Sequence, residues 1–178
     1  MFPFKNYPAG RLTFLMGLLL AALSLSPAAR ANHLKPPTGK IILTVSGAIE
    51  HRNGEGGARF DREMLEALGM HSLTVVTPWT DGANRFTGPL VRDLLAEVGA
   101  RGTSLTATAI NDYQTEIPIA DSQTYPIIFA MEMNGQRLGI RDRGPLWVIY
   151  PWLDDKTLQT ENYFSRSIWQ LKSFVVND

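Results

Sequence analysis

The chain has 178 residues, with 17 basic and 17 acidic side chains and no cysteine. This length is enough for one domain with a substantial core. The balanced charge, without a basic run, excludes a nucleic-acid-binding surface, and the lack of cysteine excludes disulfides and thiolate metal ligands.

The N-terminus has the pattern of a secretory signal peptide, which we expect to cover residues 1–31. Lys5 and Arg11 form a positive start, and residues 12–25 form an apolar stretch shorter than the ~20 residues that span a bilayer. An Ala-Arg-Ala cleavage site follows. We therefore predict a single periplasmic domain over residues 32–178, mildly acidic and without a transmembrane span. An uncleaved N-terminal anchor is the alternative.

The first half of this domain alternates predicted strands and helices. Residues 41–49 are β-rich and predict a strand. A short helix is predicted over residues 62–68, with Asp61 as its N-cap and Gly69 at its end. Residues 73–77 predict a second strand.

A polar loop is predicted over residues 77–88, around Trp79. Pro89 then predicts the first turn of a second helix, where its missing N–H is harmless. Apolar residues recur at helical spacing from Leu90 to Val98, and Gly99 closes the helix.

The rest of the chain favours strands and turns. Strands are predicted over residues 105–110, 127–133, 146–150 and 169–176. The dipeptide Asn134-Gly135 between two apolar runs indicates a hairpin turn. Short helices among many strands predict an α+β fold with mixed β-sheets.

Five short segments occur in a set order along residues 40–176. They are Val45-Ser46-Gly47, Thr87-Gly88-Pro89-Leu90, Asn111-Asp112-Tyr113 with Ile117-Pro118, Arg143-Gly144-Pro145-Leu146, and Trp169-Gln170-Leu171. Together they resemble the sulfite oxidase-type molybdopterin-binding domain family. The resemblance implies the fold of that family and makes molybdopterin the cofactor to consider.

One departure from the family pattern concerns the metal. Catalytic members hold molybdenum through a cysteine that lies after the middle strand and before the Gly-Pro-Leu helix. This chain has Thr77 and Thr80 in that region. A threonine hydroxyl does not ionise near neutral pH and cannot replace a thiolate. Ligation of molybdenum by a protein thiolate is therefore not possible, and the scattered histidines predict no other metal site.

Arg143 and Arg141 are candidate ligand-binding residues, because guanidinium donors match the geometry of small anions. The resemblance implies that their segment borders a substrate pocket. On an extended segment the two arginines share one side, with Arg143 more inward. An ion pair with Asp142 or another acidic residue, or a solvated turn, is the alternative.

The other candidates combine polar and aromatic groups. Asn111, Asp112 and Tyr113 could orient a ligand, or they could simply end a strand. Trp79 either lines a cleft or packs beneath its loop. Thr77 is the last of the candidate ligand-binding residues.

Three functions follow. The first is a non-catalytic periplasmic module that binds a small anion or pterin-like molecule, alone or together with a membrane-bound sensor or redox partner. The second is a molybdopterin-dependent oxidoreductase that holds its cofactor without cysteine. The third is an accessory subunit of a periplasmic or membrane sensor complex, which docks through the polar, loop-like residues 154–166.

Overall fold

The structure, a computed structural model, describes residues 34–178. The predicted signal peptide lies outside the described residues. Within the described part of the chain, no helix is long and apolar enough to cross a membrane.

Short strands dominate the described residues. In chain order they are β1 (Leu43–Gly47), β2 (Ala58–Phe60), β3 (His71–Val76), β4 (Ala83–Gly88), β5 (Ser104–Ala109), β6 (Gln114–Pro118), β7 (Ile128–Ala130), β8 (Glu132–Met133), β9 (Gln136–Arg137), β10 (Trp147–Ile149) and β11 (Leu171–Asn177). The helices are α1 (Arg62–Glu66), α2 (Val91–Glu97), α3 (Ile119–Thr124) and α4 (Glu161–Arg166).

The larger sheet has the strand order β2-β1-β11-β5-β6. β1 and β11 are parallel, and the other pairs are antiparallel. The register of β11 against β5 shifts between Leu171 and Ser173, which makes Lys172 the extra residue of a bulge. This shift lets both Leu171 and Phe174 face the core, although strict alternation would place them on opposite sides.

A smaller antiparallel sheet has the order β3-β4-β8-β9, and β7 pairs with β10 beside it. The hairpin between β8 and β9 turns at Asn134 and Gly135, which have φ angles of 53° and 80°. The predicted hairpin is thus confirmed. Both sheets pack around one apolar core that includes Val45, Phe86 and Trp147.

Strand β4 corrects the prediction of a polar loop over residues 77–88. Asn84, Phe86 and Gly88 point inward and alternate with more exposed residues. A side chain at Gly88 would collide with the Phe129 carbonyl, so the glycine permits the close approach of β7. The sequence of β4 looks polar because Phe86 is the only large apolar residue on the buried face of this strand.

The two predicted helices are present but shorter. Asp61 caps α1 by accepting a hydrogen bond from the Met64 backbone N–H at 3.0 Å. α2 begins at Val91, so Pro89 precedes the helix and does not lie in its first turn. Gly99 follows α2 with a φ of 61°, as predicted for a helix-ending glycine.

Helices α3 and α4 and strand β6 were not predicted. α4 lies within the polar segment 154–166, so the prediction of a loop there was wrong for its last turns. The segment is helical because Tyr163 and Phe164 pack against the core cluster and Arg166 pairs with Asp121 on α3. The mixed sheets and few short helices nevertheless match the predicted α+β class.

Candidate functional site

A cleft of ≈ 360 Å³ opens between the β3–β4 loop, the β5–β6 turn, α4 and the segment before β11. Aromatic and small polar side chains line it. They are Trp79, Ala109, Asn111, Tyr113, Glu161, Phe164, Ser165, Ser167, Ile168 and Trp169.

All four tryptophans of the chain meet at this cleft, where Trp79 and Trp169 line it. The ring of Trp79 lies 5.9 Å from Trp147, 5.9 Å from Trp152 and 5.3 Å from Trp169, measured between ring centroids. Phe164 packs edge-on against Trp79 at 5.9 Å. Such aromatic pairs each contribute about 0.5–1.5 kcal/mol beyond their buried area. The wall that Trp79 presents to the cleft is therefore well supported.

The loop that carries Trp79 is held by side-chain hydrogen bonds. The hydroxyls of Thr77 and Thr80 lie 2.8 Å apart, and Thr77 also accepts from the Trp79 backbone N–H at 3.1 Å. Asn84 donates to the Asp81 carbonyl at 2.9 Å. Thr77 is buried, and its hydroxyl braces the loop instead of facing the cleft.

Arg143 points inward, whereas Arg141 is exposed and does not line the cleft. The predicted extended segment is wrong, because residues Ile140–Asp142 form a 3-10 helix and Arg143 adopts a left-handed φ of 68°. The Arg143 guanidinium lies over Trp147 at 5.4 Å and over Trp169 at 5.8 Å. It also donates to the Trp79 carbonyl at 2.8 Å. Arg143 thus contacts three of the tryptophans and does not line the cleft itself.

Asn111, Asp112 and Tyr113 form the tight turn between β5 and β6. Asn111 accepts from the Tyr113 backbone N–H at 3.2 Å, and both residues line the cleft. The Asp112 carboxylate points elsewhere and accepts from Lys172 at 2.5 Å. The structure therefore brings Trp79, Asn111 and Tyr113 together at the cleft, with Arg143 and Thr77 supporting its wall.

Unusual backbone conformations occur beside the cleft. Asp112, Arg143 and Gln170 have φ angles of 65°, 68° and 50°, in the left-handed region that disfavours side chains. Gln170 donates its backbone N–H to the Arg143 carbonyl at 2.9 Å, which joins two of these turns. Residues held in such conformations tend to cluster at binding sites.

Several cleft residues carry no clear signal in the sequence. Trp169 falls at the start of the strand predicted over residues 169–176, yet it precedes β11, is only partly buried and lines the cleft. Glu161, Phe164 and Ser165 lie on α4, in a segment interpreted as a loop. The adjacent aromatic residues Tyr163 and Phe164 within an otherwise polar stretch were the one available signal.

A buried polar network anchors α4 against the body of the domain. Asp121 accepts from the Tyr150 hydroxyl at 2.8 Å and from the Arg166 guanidinium at 2.9 Å. Burial, followed by the Asp121 carboxylate, raises the pKa of Tyr150 above its ordinary value of 10.0. Tyr150 therefore stays protonated and donates to Asp121 at physiological pH.

The residues present do not fit a molybdenum centre of the family type. The chain has no cysteine, and the Thr77 hydroxyl is engaged within its own loop. Among the described residues, no group of three histidine, aspartate or glutamate side chains could hold a metal ion. The aromatic walls suit a flat ring. Among the described residues, the only charged one that lines the cleft is the acidic Glu161, which does not suit the phosphate of molybdopterin.

Comparisons with known proteins agree on the architecture. The model of the oxidoreductase molybdopterin binding domain family matches residues 61–154. The crystal structure of the sulfane dehydrogenase SoxCD from Paracoccus pantotrophus superposes with a TM-score of 0.57 at 17% identity. That match covers 76% of this chain and 38% of the other, so this chain spans well under half of its length. No curated protein matches the sequence.

Proposed function

Since the chain belongs to the oxidoreductase molybdopterin binding domain family, we propose that it is an exported, periplasmic binding module for a small pterin-like molecule, without redox catalysis of its own. The observation that carries the proposal is the cleft itself, where an aromatic wall built around Trp79 adjoins a threonine pair in place of a thiolate.

The cleft supports binding of a flat, largely uncharged ring. Trp79, Tyr113, Phe164 and Trp169 provide aromatic surface, and polar groups at the rim can fix orientation. Small-molecule sites commonly combine mostly apolar walls with a few polar groups, in volumes of about 300–1,000 Å³. The volume of this cleft lies at the small end of that range and suits a bicyclic ring.

The same geometry argues against a bare anion as the main ligand. The Arg143 guanidinium stacks on tryptophans and donates to a backbone carbonyl, and it does not line the cleft. Arg141 is exposed away from it. Of the two ligand classes that the sequence predicts, a pterin-like ring therefore has more support than a small anion.

The lack of a suitable metal ligand among the described side chains supports a non-catalytic role. Metal-centred chemistry in this family depends on a thiolate that the chain cannot supply, and the buried Thr77 hydroxyl is already hydrogen-bonded. Export is supported by the sequence of residues 1–31, which also implies that the domain meets its ligand outside the cytoplasm.

Ligand binding can be tested by a thermal shift assay on the protein purified from a periplasmic extract. We expect pterin to raise the melting temperature, because a ligand at a hundredfold excess over its Kd stabilises by ~2.7 kcal/mol. Sulfite and phosphate should have a much smaller effect. Tyr113→Ala should weaken the response, since Tyr113 lines the cleft and is 48% exposed, which leaves the core intact.

Leu153→Ala is the matched control, because Leu153 is 47% exposed and lies outside the cleft lining. Elemental analysis of the same preparation should find no stoichiometric molybdenum. A molybdenum-to-protein ratio near one would refute the non-catalytic role, and an unchanged melting temperature with every pterin would refute the binding role.

A further inference from the structure

We propose that Glu161 and Asn111 make the cleft selective for a ring edge that carries two N–H donors beside a carbonyl. The 2-amino-4-oxopyrimidine ring shared by pterins and guanines has this edge. The inference rests on the proposed function and identifies the ligand class of that same cleft.

Glu161 supplies the acceptor. It is the only charged residue that lines the cleft, and it forms no ion pair or side-chain hydrogen bond within the described residues. An ionised carboxylate accepts hydrogen bonds and cannot donate them. Its two oxygens match a pair of parallel N–H donors such as a ring N–H and its neighbouring amino group.

Asn111 supplies the donor. Its side-chain oxygen already accepts from the Tyr113 backbone N–H at 3.2 Å, and this contact assigns the amide orientation. The amide nitrogen then has no acceptor among the described residues and can donate into the cleft that Asn111 lines. An acceptor and a donor that line the same cleft can complement an edge of the order donor, donor, acceptor.

The aromatic walls favour a neutral ring over a cationic ligand. Arg143 already occupies a face of Trp169, with its guanidinium 5.8 Å from the ring centroid. A second cation on that ring would gain little from cation–π attraction and would be repelled by the guanidinium. A neutral heteroaromatic ring, in contrast, can stack on Trp79 or Trp169 while its polar edge reaches the rim.

Titration of the full chain with pterin and with lumazine tests the assignment. Lumazine has an oxo group where pterin has its 2-amino group, and at mildly acidic pH both rings are neutral. We expect pterin to bind at least about tenfold more tightly, because the lumazine oxygen would face the Glu161 carboxylate without a donor. Binding is followed by tryptophan fluorescence and by calorimetry.

Glu161→Gln should change this preference rather than abolish binding. A glutamine amide can donate to the lumazine oxygen, so we expect lumazine to gain affinity while pterin loses it. If Glu161 had only a structural role, Glu161→Gln would lower the affinity for both ligands alike. Glu116→Gln is the matched control, because Glu116 is an exposed carboxylate on β6 that does not line the cleft.

Guanosine distinguishes the two sources of the ring. If guanosine responds to Glu161→Gln as pterin does, the edge assignment is supported, and the ring that binds more tightly of the two identifies the source. If pterin and lumazine bind equally and Glu161→Gln changes neither, the inference is overturned while the binding function stands. If no ring compound binds, both the proposed function and the inference that rests on it are refuted.

Discussion

Two fully buried indoles differ in whether their N–H groups have an acceptor. Trp147 donates to the Ser167 carbonyl at 3.0 Å, whereas the Trp152 N–H has no partner among the described residues. Both side chains are at most 1% exposed and both contact Trp79. The pair therefore separates the contribution of one hydrogen bond from that of ring packing.

We predict that Trp147→Phe destabilises the domain more than Trp152→Phe does. Both changes remove similar ring volume, but only the first leaves a buried carbonyl unpaired, at a cost of about 1–3 kcal/mol. The second removes a donor that is already unsatisfied, which offsets part of the lost packing. Urea unfolding measures the difference, and equal losses would contradict it.

For individual residues, the sequence predicted the direction of a side chain better than the partners that it contacts. Arg143 was expected to point inward, and it does so, but the sequence could not show that its partners are Trp147 and Trp169. A guanidinium fits an aromatic face as well as it fits an anion. Which surface it meets depends on strands that are distant along the chain.

Among the secondary-structure elements, α1 begins at an N-cap carboxylate, Asp61, that backbone N–H groups stabilise. Hydrogen bonds from the backbone N–H groups of Met64, Gly39 and Thr38 lower the pKa of Asp61 below its ordinary value of 3.8. Asp61 is 2% exposed, so its carboxylate holds both the helix start and the preceding chain in place.

Asp61→Asn should destabilise the domain near neutral pH by about 2 kcal/mol, because an amide N–H would face the donors of Thr38 and Gly39. A depressed pKa in the folded state gives stability that is present above the unfolded value and is lost as the pH falls through the folded value. The gap between wild type and Asp61→Asn should therefore shrink below about pH 4.

Urea unfolding from pH 7 towards pH 3 checks the Asp61 prediction. Asp155→Asn is the control, because Asp155 caps only the short 3-10 helix Lys156–Leu158, by accepting a hydrogen bond from the Thr157 backbone N–H. A gap between wild type and Asp61→Asn that stays constant across this range would contradict the role of the ionised carboxylate.

The elements also differ in how far they could be predicted. α1 was predicted well because its cap, Asp61, and its terminating glycine, Gly69, lie close together along the chain. α4 was missed because its six residues are too few to show a helical period, and its stability depends on the Arg166–Asp121 pair. β4 was missed because its buried face includes Asn84 and Gly88.

In the molecule as a whole, the last strand occupies the interior of the larger sheet. β11 pairs with β1 on one side and with β5 on the other. The region matched by the family model, residues 61–154, includes neither β1 nor β11. The centre of the larger sheet therefore includes two strands, β1 and β11, that are distant along the chain and outside the family match.

Removing residues 171–178 should prevent formation of the native tertiary structure. The change exposes the edges of β1 and β5 and deletes Leu171, Phe174 and Val176 from the core, at about 2–3 kcal/mol for each large side chain. Near-ultraviolet circular dichroism should lose the tryptophan signal. Removing Asp178 alone is the control, and a native spectrum without β11 would contradict the prediction.

The sequence by itself determined the α+β class, the family, the β8–β9 hairpin and the lack of a thiolate ligand. These properties depend on composition, or on turn and cap residues that act within a few positions. Only the tertiary structure decided that the four tryptophans meet, that α4 forms, and that Glu161 and Asn111 line the same cleft. Those contacts join residues up to tens of positions apart, and their energy exists only once the sheets have assembled.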